Sequence, residues 1–574
     1  MIIANDWWLV ELEVKRIQTY LFSVPRLRAM IGANALVGET LRGVWSRAGF
    51  AEEPESLPRL AQECSSPWPN SHRIPVPDPS LFPRNDDPLE TLGEWQDDVA
   101  TVACETGVLS RDGGHFEAVF PDDNKAREFL HRAHELIARQ LPGARLDARL
   151  FRLNTSNGIV RKAETPERLE GPATQSVFDL PQAEICQLSG SEPASLGDVS
   201  GGQENYHAGP SAKARWKRGE QFDQGKTSDV LGMLRDELLR RVGLDPKAER
   251  EALAAEFNGL SVQGYLAVVH VDGNSVGRRF KTYTGAFKDE DFFTQWAHKE
   301  RFFHTLRCGM RRAVLGAIQD VFHGKLNRRH KVPLRLLMLG GDDLVLVCGA
   351  PYALPFVRQL AERIHEQTAA LPGEKGGSAP LEIGAGVAIV QDSFPFHRAH
   401  QLAEQLATSA KRIKHLGSAV DWIVTSESWY GDIADTRRRT AVVDNSLLLS
   451  RKPYPMRDRD NSPGLKTLLD HAKELAKCKS LARSQLQRLT DSLGQGRHTA
   501  HFVAQTLPEN TRTPLIDRGY LQDKTSDPWE KTGDYASTRL LDLFELYELE
   551  RLRLLEEGES TADGEQTPEE VAHV

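Results

Sequence analysis

Three aspartates and a lysine are the residues whose types and spacing could do chemistry. Asp342 and Asp343 stand in the stretch Gly340-Gly341-Asp342-Asp343, between the apolar runs LRLLML and LVLVCG. Asp272 follows the apolar run YLAVVHV of residues 265–271 and is itself followed by Gly273 and Asn274. A carboxylate at the end of a strand buried on both faces is costly unless it is paired or liganded. If that strand lies beside the hairpin, Asp272, Asp342 and Asp343 converge on one edge of a sheet. Three carboxylates so close raise one another's pKa values, and a divalent ion removes the penalty. Hard oxygen ligands with room for water select Mg2+ or Mn2+. Two such ions suit phosphoryl transfer, in which a ribose hydroxyl attacks a phosphate in line. The expected metal ligands are Asp272, Asp342, Asp343 and the carbonyl of Gly273, while Gly340 and Gly341 allow a tight turn and close approach of backbone. An acidic hairpin turn would carry the same tetrapeptide, since Gly and Asp are common turn formers. Asp272 is what favours the metal reading.

A cation for a triphosphate is still needed. On the helical segment 396–417 the stripe Leu402, Ala403, Leu406, Ala407, Ala410 and Ile413 is expected to be buried. Lys411 follows Ala410 and can reach along the sheet edge, with Arg412 and Lys414 as alternates and a solvated helix lysine as the plainer reading. The expected nucleotide-binding set is Gly273, Asn274, Gly340, Gly341 and Lys411.

The elements that must hold these residues follow a pattern. The order over 265–425 is a strand, a long helix at roughly 290–320, the hairpin, a helix at 354–371, a strand at 381–390, the helix 396–417 and a strand at 421–425. Its first six elements are the split βαβ, ferredoxin-like arrangement. The N-terminal segment reads as a shorter version: strand 7–14, a helix from about Ile17, the turn and strand of RDGGHFEAVF, and a helix over 124–141. It carries the same Gly-Gly turn. The expected fold is therefore α+β, with two ferredoxin-like domains: a first, degenerate one over 1–165 with a Pro-rich insertion at 65–88, and a second, catalytic one over 259–450. Residues 166–258 form an insertion in which the Gly-, Ser-, Gln- and Lys-rich stretch 187–228 reads as a linker. A helical bundle over 451–552 and a disordered acidic tail over 553–574 complete the chain.

The 574 residues allow several domains, and 40% apolar with 27% charged residues is ordinary for a globular protein. A net charge of −9 excludes a generic polyanion binder, although Arg437-Arg438-Arg439 is locally basic. Six cysteines without a CxxC pair fit a reducing compartment. No stretch approaches the ~18 apolar residues of a membrane helix, and no signal peptide opens the chain. The expectation is a cytoplasmic protein with no membrane partner.

The stretches VVHVDGNSVGRRF, LRLLMLGGDDLVLVCG, IGAGVAIVQDSFPFHRAHQLAEQLATSAKR and DWIVT resemble the second palm domain of the large, polymerase- and cyclase-like subunit of type III CRISPR effector complexes. VKRIQTYLFSVPRLRAMIGANALV and GGHFEAVF are similar to the same family's first, metal-free palm. ICQLSGSEPAS resembles its zinc segment, and RKPYPM its C-terminal helical domain. The resemblance implies a nucleotidyltransferase that makes cyclic oligoadenylates from ATP with Mg2+ or Mn2+, in antiviral defence. It implies other type III subunits and guide RNA as partners and target RNA as an activator. By position it makes Asp272, Asp342 and Asp343 the metal ligands and Lys411 the triphosphate grip. Two departures stand out. No His-Asp dipeptide precedes the first palm, so HD nuclease activity is not expected. Ser189 stands where a cysteine would follow Cys186, so zinc is not expected. Cys308 and Cys348 sit in apolar contexts and read as core, and His115 as a structural or surface residue. A mainly structural or RNA-binding subunit, a stand-alone signalling cyclase and a GTP-using diguanylate-cyclase-like enzyme are the alternatives, though the last would carry GGDEF or GGEEF.

Overall fold

The computed structural model of the chain describes residues 7–41, 81, 88–89, 107–110, 113–156, 159–169, 184–190, 192–195, 198–200, 205–226, 230–426, 431–459, 463–479, 481–532 and 535–558. They form a mixed α+β protein built on two main sheets. In the first sheet, β1 (Trp7–Lys15), β2 (Val108–Ser110), β3 (His115–Phe120) and β4 (Arg145–Ser156) lie in the order β2-β3-β1-β4, every pair antiparallel, with β5 (Ile159–Lys162) and β6 (Glu167–Leu169) both paired to β4. Helices α1 (Ile17–Phe22) and α2 (Leu27–Leu41) follow β1, and α3 (Asp123–Gln140) follows β3. The start of α3 is set by Asp122, whose carboxylate accepts from the Lys125 amide at 2.9 Å. Its apolar stripe, Ala126, Phe129, Leu130, Ala133, Leu136 and Ile137, is buried as the spacing predicts. Apart from residues 81 and 88, the Pro-rich stretch 65–88 lies outside the described residues.

The stretch that composition marks as a linker, 187–228, contains regular structure. It holds the hairpin β7 (Asp198–Ser200) and β8 (Asn205–His207) and the helix α4 (Pro210–Asp223); α5 (Val230–Arg241) follows. Its polar composition conceals the buried set Ala212, Arg215, Trp216, Gly219 and Phe222. Helix α4 crosses α2 at two glycines. A Cβ on Gly32 would stand 1.8 Å from the Arg215 carbonyl oxygen, and one on Gly219 would stand 2.1 Å from that of Arg28, so the two backbones touch. Cys186 is buried in this region among Val24, Leu188 and Trp216, and its sulfur accepts from the backbone N–H of Ser189 at 3.3 Å.

The second sheet contains β9 (Tyr265–Gly273), β10 (Leu334–Leu339), β11 (Leu344–Gly349), β12 (Ile383–Gln391) and β13 (Ala419–Thr425) in the order β10-β11-β9-β12-β13, with Tyr454–Pro455 added beyond β13. Pairings within it are antiparallel except β12 with β13. The β-branched run of β9 is buried on both faces. On one face lie α6 (Val276–Gly285), α7 (Phe292–Phe322) and α8 (Ala350–Gln367); on the other lie α9 (Phe396–Ala410) and the first sheet's helices. The α8 helix begins four residues earlier than its pattern predicts, at Ala350 directly after β11. Helix α7 serves both halves. Its Phe293 and Trp296 pack on Trp7, Leu9 and Val119 of the first sheet, while Phe302, Leu306, Met310 and Ala313 join the core of the second.

The C-terminal part has the expected helices, Leu465–Lys477, Arg483–Leu493, Arg497–Thr506, Glu509–Asp517 and Leu540–Glu556. It also has a small sheet of Val442–Val443, Leu447–Leu448, Tyr535–Ser537 and Glu530–Thr532 that two- and three-residue strands leave illegible in sequence. The last helix runs to Glu556, so the first residues of the stretch 553–574 are helical rather than disordered; residues 559–574 lie outside the described set. Asp542 is fully buried there and accepts from the Ser450 hydroxyl at 2.7 Å, the Arg451 amide at 2.9 Å and the Tyr454 hydroxyl at 2.7 Å.

Candidate metal and nucleotide site

Asp272 is the penultimate residue of β9, and Asp342 and Asp343 occupy the turn between β10 and β11. The pairing of Leu344 with Val271 brings that turn alongside the end of β9. One carboxylate oxygen from each of the three aspartates lies within 4.8 Å of the others, and all three residues are half-buried. Among the described residues no other group of three His, Cys, Asp or Glu side chains is so gathered. The crowding has an electrostatic signature. Asp343 is pushed up to about 7 by burial and then by the charges of Asp342 and Asp272. Burial and Asp272 push Asp342 up to about 6.

Glycine is required at one of the three predicted positions. A Cβ on Gly273 would meet Cβ of Asp342 and Cγ2 of Val276 at 2.8 Å each, so only glycine lets the β9 end pass beneath the turn. Gly340 donates its N–H to the Asp343 carbonyl at 2.8 Å, closing a tight turn. Yet neither Gly340 nor Gly341 has a positive φ, and a Cβ on either would stand 3.5 Å from its nearest protein atom, an ordinary contact. The fold itself does not demand glycine there. The first sheet's turn is also not the same turn: Gly113 and Gly114 have φ of +63° and +85°, in the left-handed region. Its His115 is exposed.

Lys411 lies one residue beyond the α-helix that the pattern extends to 417. Helix α9 stops at Ala410, and residues Lys411–Leu416 form a 3-10 turn with non-helical φ/ψ at Ile413, ended by Gly417 at φ +96°. The tighter turn carries Lys411 over the sheet, where its ammonium pairs with the Asp272 carboxylate and lies 3.5 Å from the Gly273 carbonyl oxygen. Arg412 and Lys414, the alternates, are exposed.

The sequence reading missed two glycines that make this reach possible. In β12, Gly384 is the cross-strand partner of Asp272. A Cβ on Gly384 would stand 2.5 Å from Cγ of Lys411, and one on Gly386 would stand 1.9 Å from the Ala403 carbonyl oxygen. Helix α9 therefore lies directly on the β12 backbone. The spacing of glycines in IGAGVAIV, inside an otherwise buried strand, was the available signal.

Asn274 is 7% exposed, and neither its amide oxygen nor its amide nitrogen has a hydrogen-bond partner in the protein. Its backbone N–H donates to the Glu382 carbonyl at 2.7 Å, which fixes the loop after β9. A buried amide of this kind is costly unless a ligand completes it.

Residues 265–417 match the model of the family described as Cas10/Cmr2, second palm domain. This part of the chain is similar to the Cas10 second palm. The match contains Asp272, Asp342, Asp343 and Lys411 within its bounds. Solved structures similar to the chain include a Csm1-Csm4 cassette in complex with cA4, at 12% identity and a TM-score of 0.36, covering 71% of this chain and 53% of that one. A Csm1-Csm4 cassette in complex with cA3 is 11% identical with a TM-score of 0.42, covering 96% and 70%. Csm1 in T. onnurineus is 11% identical with a TM-score of 0.41, covering 95% and 70%. The chain thus spans about half the length of the first of these. No curated protein matches it.

Proposed function

We propose that the chain is a metal-dependent nucleotidyltransferase that joins ATP units into cyclic oligoadenylates, and that it acts within a type III CRISPR effector complex. One observation carries the catalytic reading: oxygens of Asp272, Asp342 and Asp343 converge within 4.8 Å on the edge of a Cas10-like palm, with Lys411 beside them. Burial, and then the neighbouring carboxylates, raise the pKa values of Asp342 and Asp343. Three oxygen donors in such a site fit Mg2+ or Mn2+, because an ion would relieve the repulsion among them. Asp272, Asp342, Asp343 and the Gly273 carbonyl would hold the ions. When bound, two such ions lower the pKa of an attacking ribose hydroxyl and neutralise charge on the phosphates.

The remaining work falls to the chain's own residues. Lys411 exchanges its partner, from Asp272 to a triphosphate oxygen. The Asn274 amide, otherwise unpaired, donates to or accepts from the bound nucleotide. The turn at Gly340 and Gly341, where nothing in the fold requires glycine, leaves backbone open to close approach by substrate. The two split βαβ sheets read as a pair of ferredoxin-like palms, the second catalytic and the first a partner in holding the acceptor nucleotide. Adenine as the base, ring closure, the RNA activator and the partner subunits rest on the family resemblance.

The test is incubation with Mg2+ or Mn2+ and each labelled nucleoside triphosphate, with and without target RNA and partner subunits, followed by mass spectrometry of the products. The Asp342→Asn, Asp343→Asn double variant is the control. Adenylate oligomers from the wild type and a loss of about 10³-fold or more in the variant are expected. No product under any condition, or equal activity in the variant, rules the reading out.

A further inference from the structure

Strand β10 leads straight into the Asp342–Asp343 turn, and it is an edge strand. An edge presents unpaired backbone groups that must be covered or satisfied. Here the cover comes from the first half of the chain. The side-chain amide of Asn34, in α2, donates to the Leu337 carbonyl at 2.9 Å. Leu337 is no ordinary position. The β10–β11 register runs Leu336 with Leu346 and then Met338 with Val345, so Leu337 is the extra residue of a bulge. The bulge reverses the alternation of the strand. Leu334 and Leu336 pack with the core of the second sheet, whereas Leu337 and Met338, though consecutive, both pack with the cluster that contains Val10, Leu12, Met30 and Ile31. A bulge re-aims the residues beyond it. Shortly beyond this one, in the same hairpin, stand Gly340 to Asp343.

A second tie lies two residues earlier. Arg335, 4% exposed, pairs with Asp223 at the end of α4, and Asp223 is also 3.9 Å from the Arg28 guanidinium of α2. Helices α2 and α4 are themselves locked by the Gly32 and Gly219 backbone contacts. A rigid pair of helices thus holds β10 at Arg335 and at the bulge.

We propose that α2 and α4 clamp β10 and thereby set the position of the Asp342–Asp343 turn, with Asn34 as a positioning residue for the metal site. The proposal rests on the metal reading above. It makes the first half of the chain and the inter-sheet insertion part of the machinery that shapes the site, although neither supplies a ligand.

The experiment is Mn2+ uptake by the full chain, read from the EPR signal of free Mn2+, alongside the thermal midpoint in EDTA. The variants are Asn34→Leu, which keeps size and removes the donor, Asn34→Gln, which keeps a donor, and Asp223→Asn, which weakens the second tie. Loss of an outer-shell support costs about tenfold or more in metal affinity. Asn34→Leu and Asp223→Asn are expected to weaken Mn2+ binding by about tenfold, and Asn34→Gln to recover part of it. A purely structural role would lower the thermal midpoint and leave the Mn2+ affinity of the folded protein unchanged, which overturns the clamp. If Asn34→Leu does not fold, Asp223→Asn decides by the same comparison. Wild type that takes up no Mn2+ overturns the metal reading and the clamp together. Wild type that binds Mn2+ while the folded variants bind it equally well overturns the clamp alone.

Discussion

Gly384 and Lys411 occupy adjoining space: a Cβ on the glycine would stand 2.5 Å from Cγ of the lysine. Because Gly384 pairs across the sheet with Asp272, the missing Cβ is what lets the lysine stem cross β12 and bring its ammonium to that carboxylate.

The neighbouring glycines should therefore separate function from folding. Gly384→Ala meets chiefly the Lys411 side chain, with the Ala407 carbonyl oxygen at 3.1 Å, so the protein should fold at a modest cost in stability and lose the Lys411–Asp272 pairing. A misplacement of this size costs about 10- to 100-fold in kcat/KM, and steady-state kinetics with ATP will read it. Gly386→Ala meets the Ala403 backbone at 1.9 Å, which cannot swing. It should lower stability by about 3 kcal/mol, as forced overpacking does, measured by denaturant unfolding. Similar losses in both variants would contradict this division.

Lys411→Met tests the grip on the triphosphate. With no nucleotide present, Lys411 competes with a cation for Asp272, so its removal should tighten Mn2+ binding severalfold. With nucleotide present, loss of the ammonium that would hold the triphosphate should raise the KM for ATP by about tenfold or more. Opposite signs in the two titrations are the expected outcome. Weaker Mn2+ binding without nucleotide would place Lys411 in a structural role instead.

The legibility of the site divides along physical lines. Asp272, Asp342 and Asp343 were readable because each interrupts an apolar run long enough to be a buried strand, and strand ends converge by topology. In the second half most of the element order was readable from periodicity, with α6 missed; in the first half the reading lacks α2, β2 and the strands β4 to β6. The nearness of Lys411 to the sheet edge was readable, but its local geometry was not: the pattern carries an α-helix to 417, whereas the α-helix stops at Ala410 and residues Lys411–Leu416 form a 3-10 turn. Helix α4 was hidden because its buried face is made of Ala, Gly, Arg and a few aromatics in a polar context. The bulge at Leu337 leaves no trace in LRLLML, where every residue but one is apolar and either register looks alike.

Arg437 shows the same difficulty with charge. The run Arg437-Arg438-Arg439 reads as a basic surface, yet Arg437 forms a bidentate pair with Asp421, one arm at 2.6 Å, and Asp421 is fully buried in β13. Arg438 and Arg439 are exposed. Arg437→Ala should destabilise the protein by about 3–5 kcal/mol, because it strands a buried carboxylate, while Arg439→Ala should change stability by less than about 0.5 kcal/mol. Thermal or urea unfolding of the two variants checks the contrast.

The raised carboxyls predict a pH dependence whose sign depends on the metal. Without ions, Asp342 titrates at about 6 and Asp343 at about 7, against an ordinary 3.8. Between about pH 4 and pH 7 the folded state therefore holds more protons than the unfolded state, and stability falls as pH rises through that window. At pH 8 both carboxylates are ionised and repel each other in the folded state. Asp343→Asn removes one of them and should stabilise the ion-free protein at pH 8 by on the order of 2 kcal/mol, allowing for screening of partly exposed groups, and by much less at pH 5. Mg2+ in the millimolar range should cancel the penalty in the wild type at pH 8, raising its thermal midpoint, and should do little at pH 5, where protons occupy the same oxygens. Thermal melts at the two pH values, with EDTA or Mg2+, give four midpoints for each protein. A wild type whose ion-free midpoint gains as much from pH 5 to pH 8 as that of Asp343→Asn would show that the three aspartates do not share a field, and the metal site would have to be abandoned.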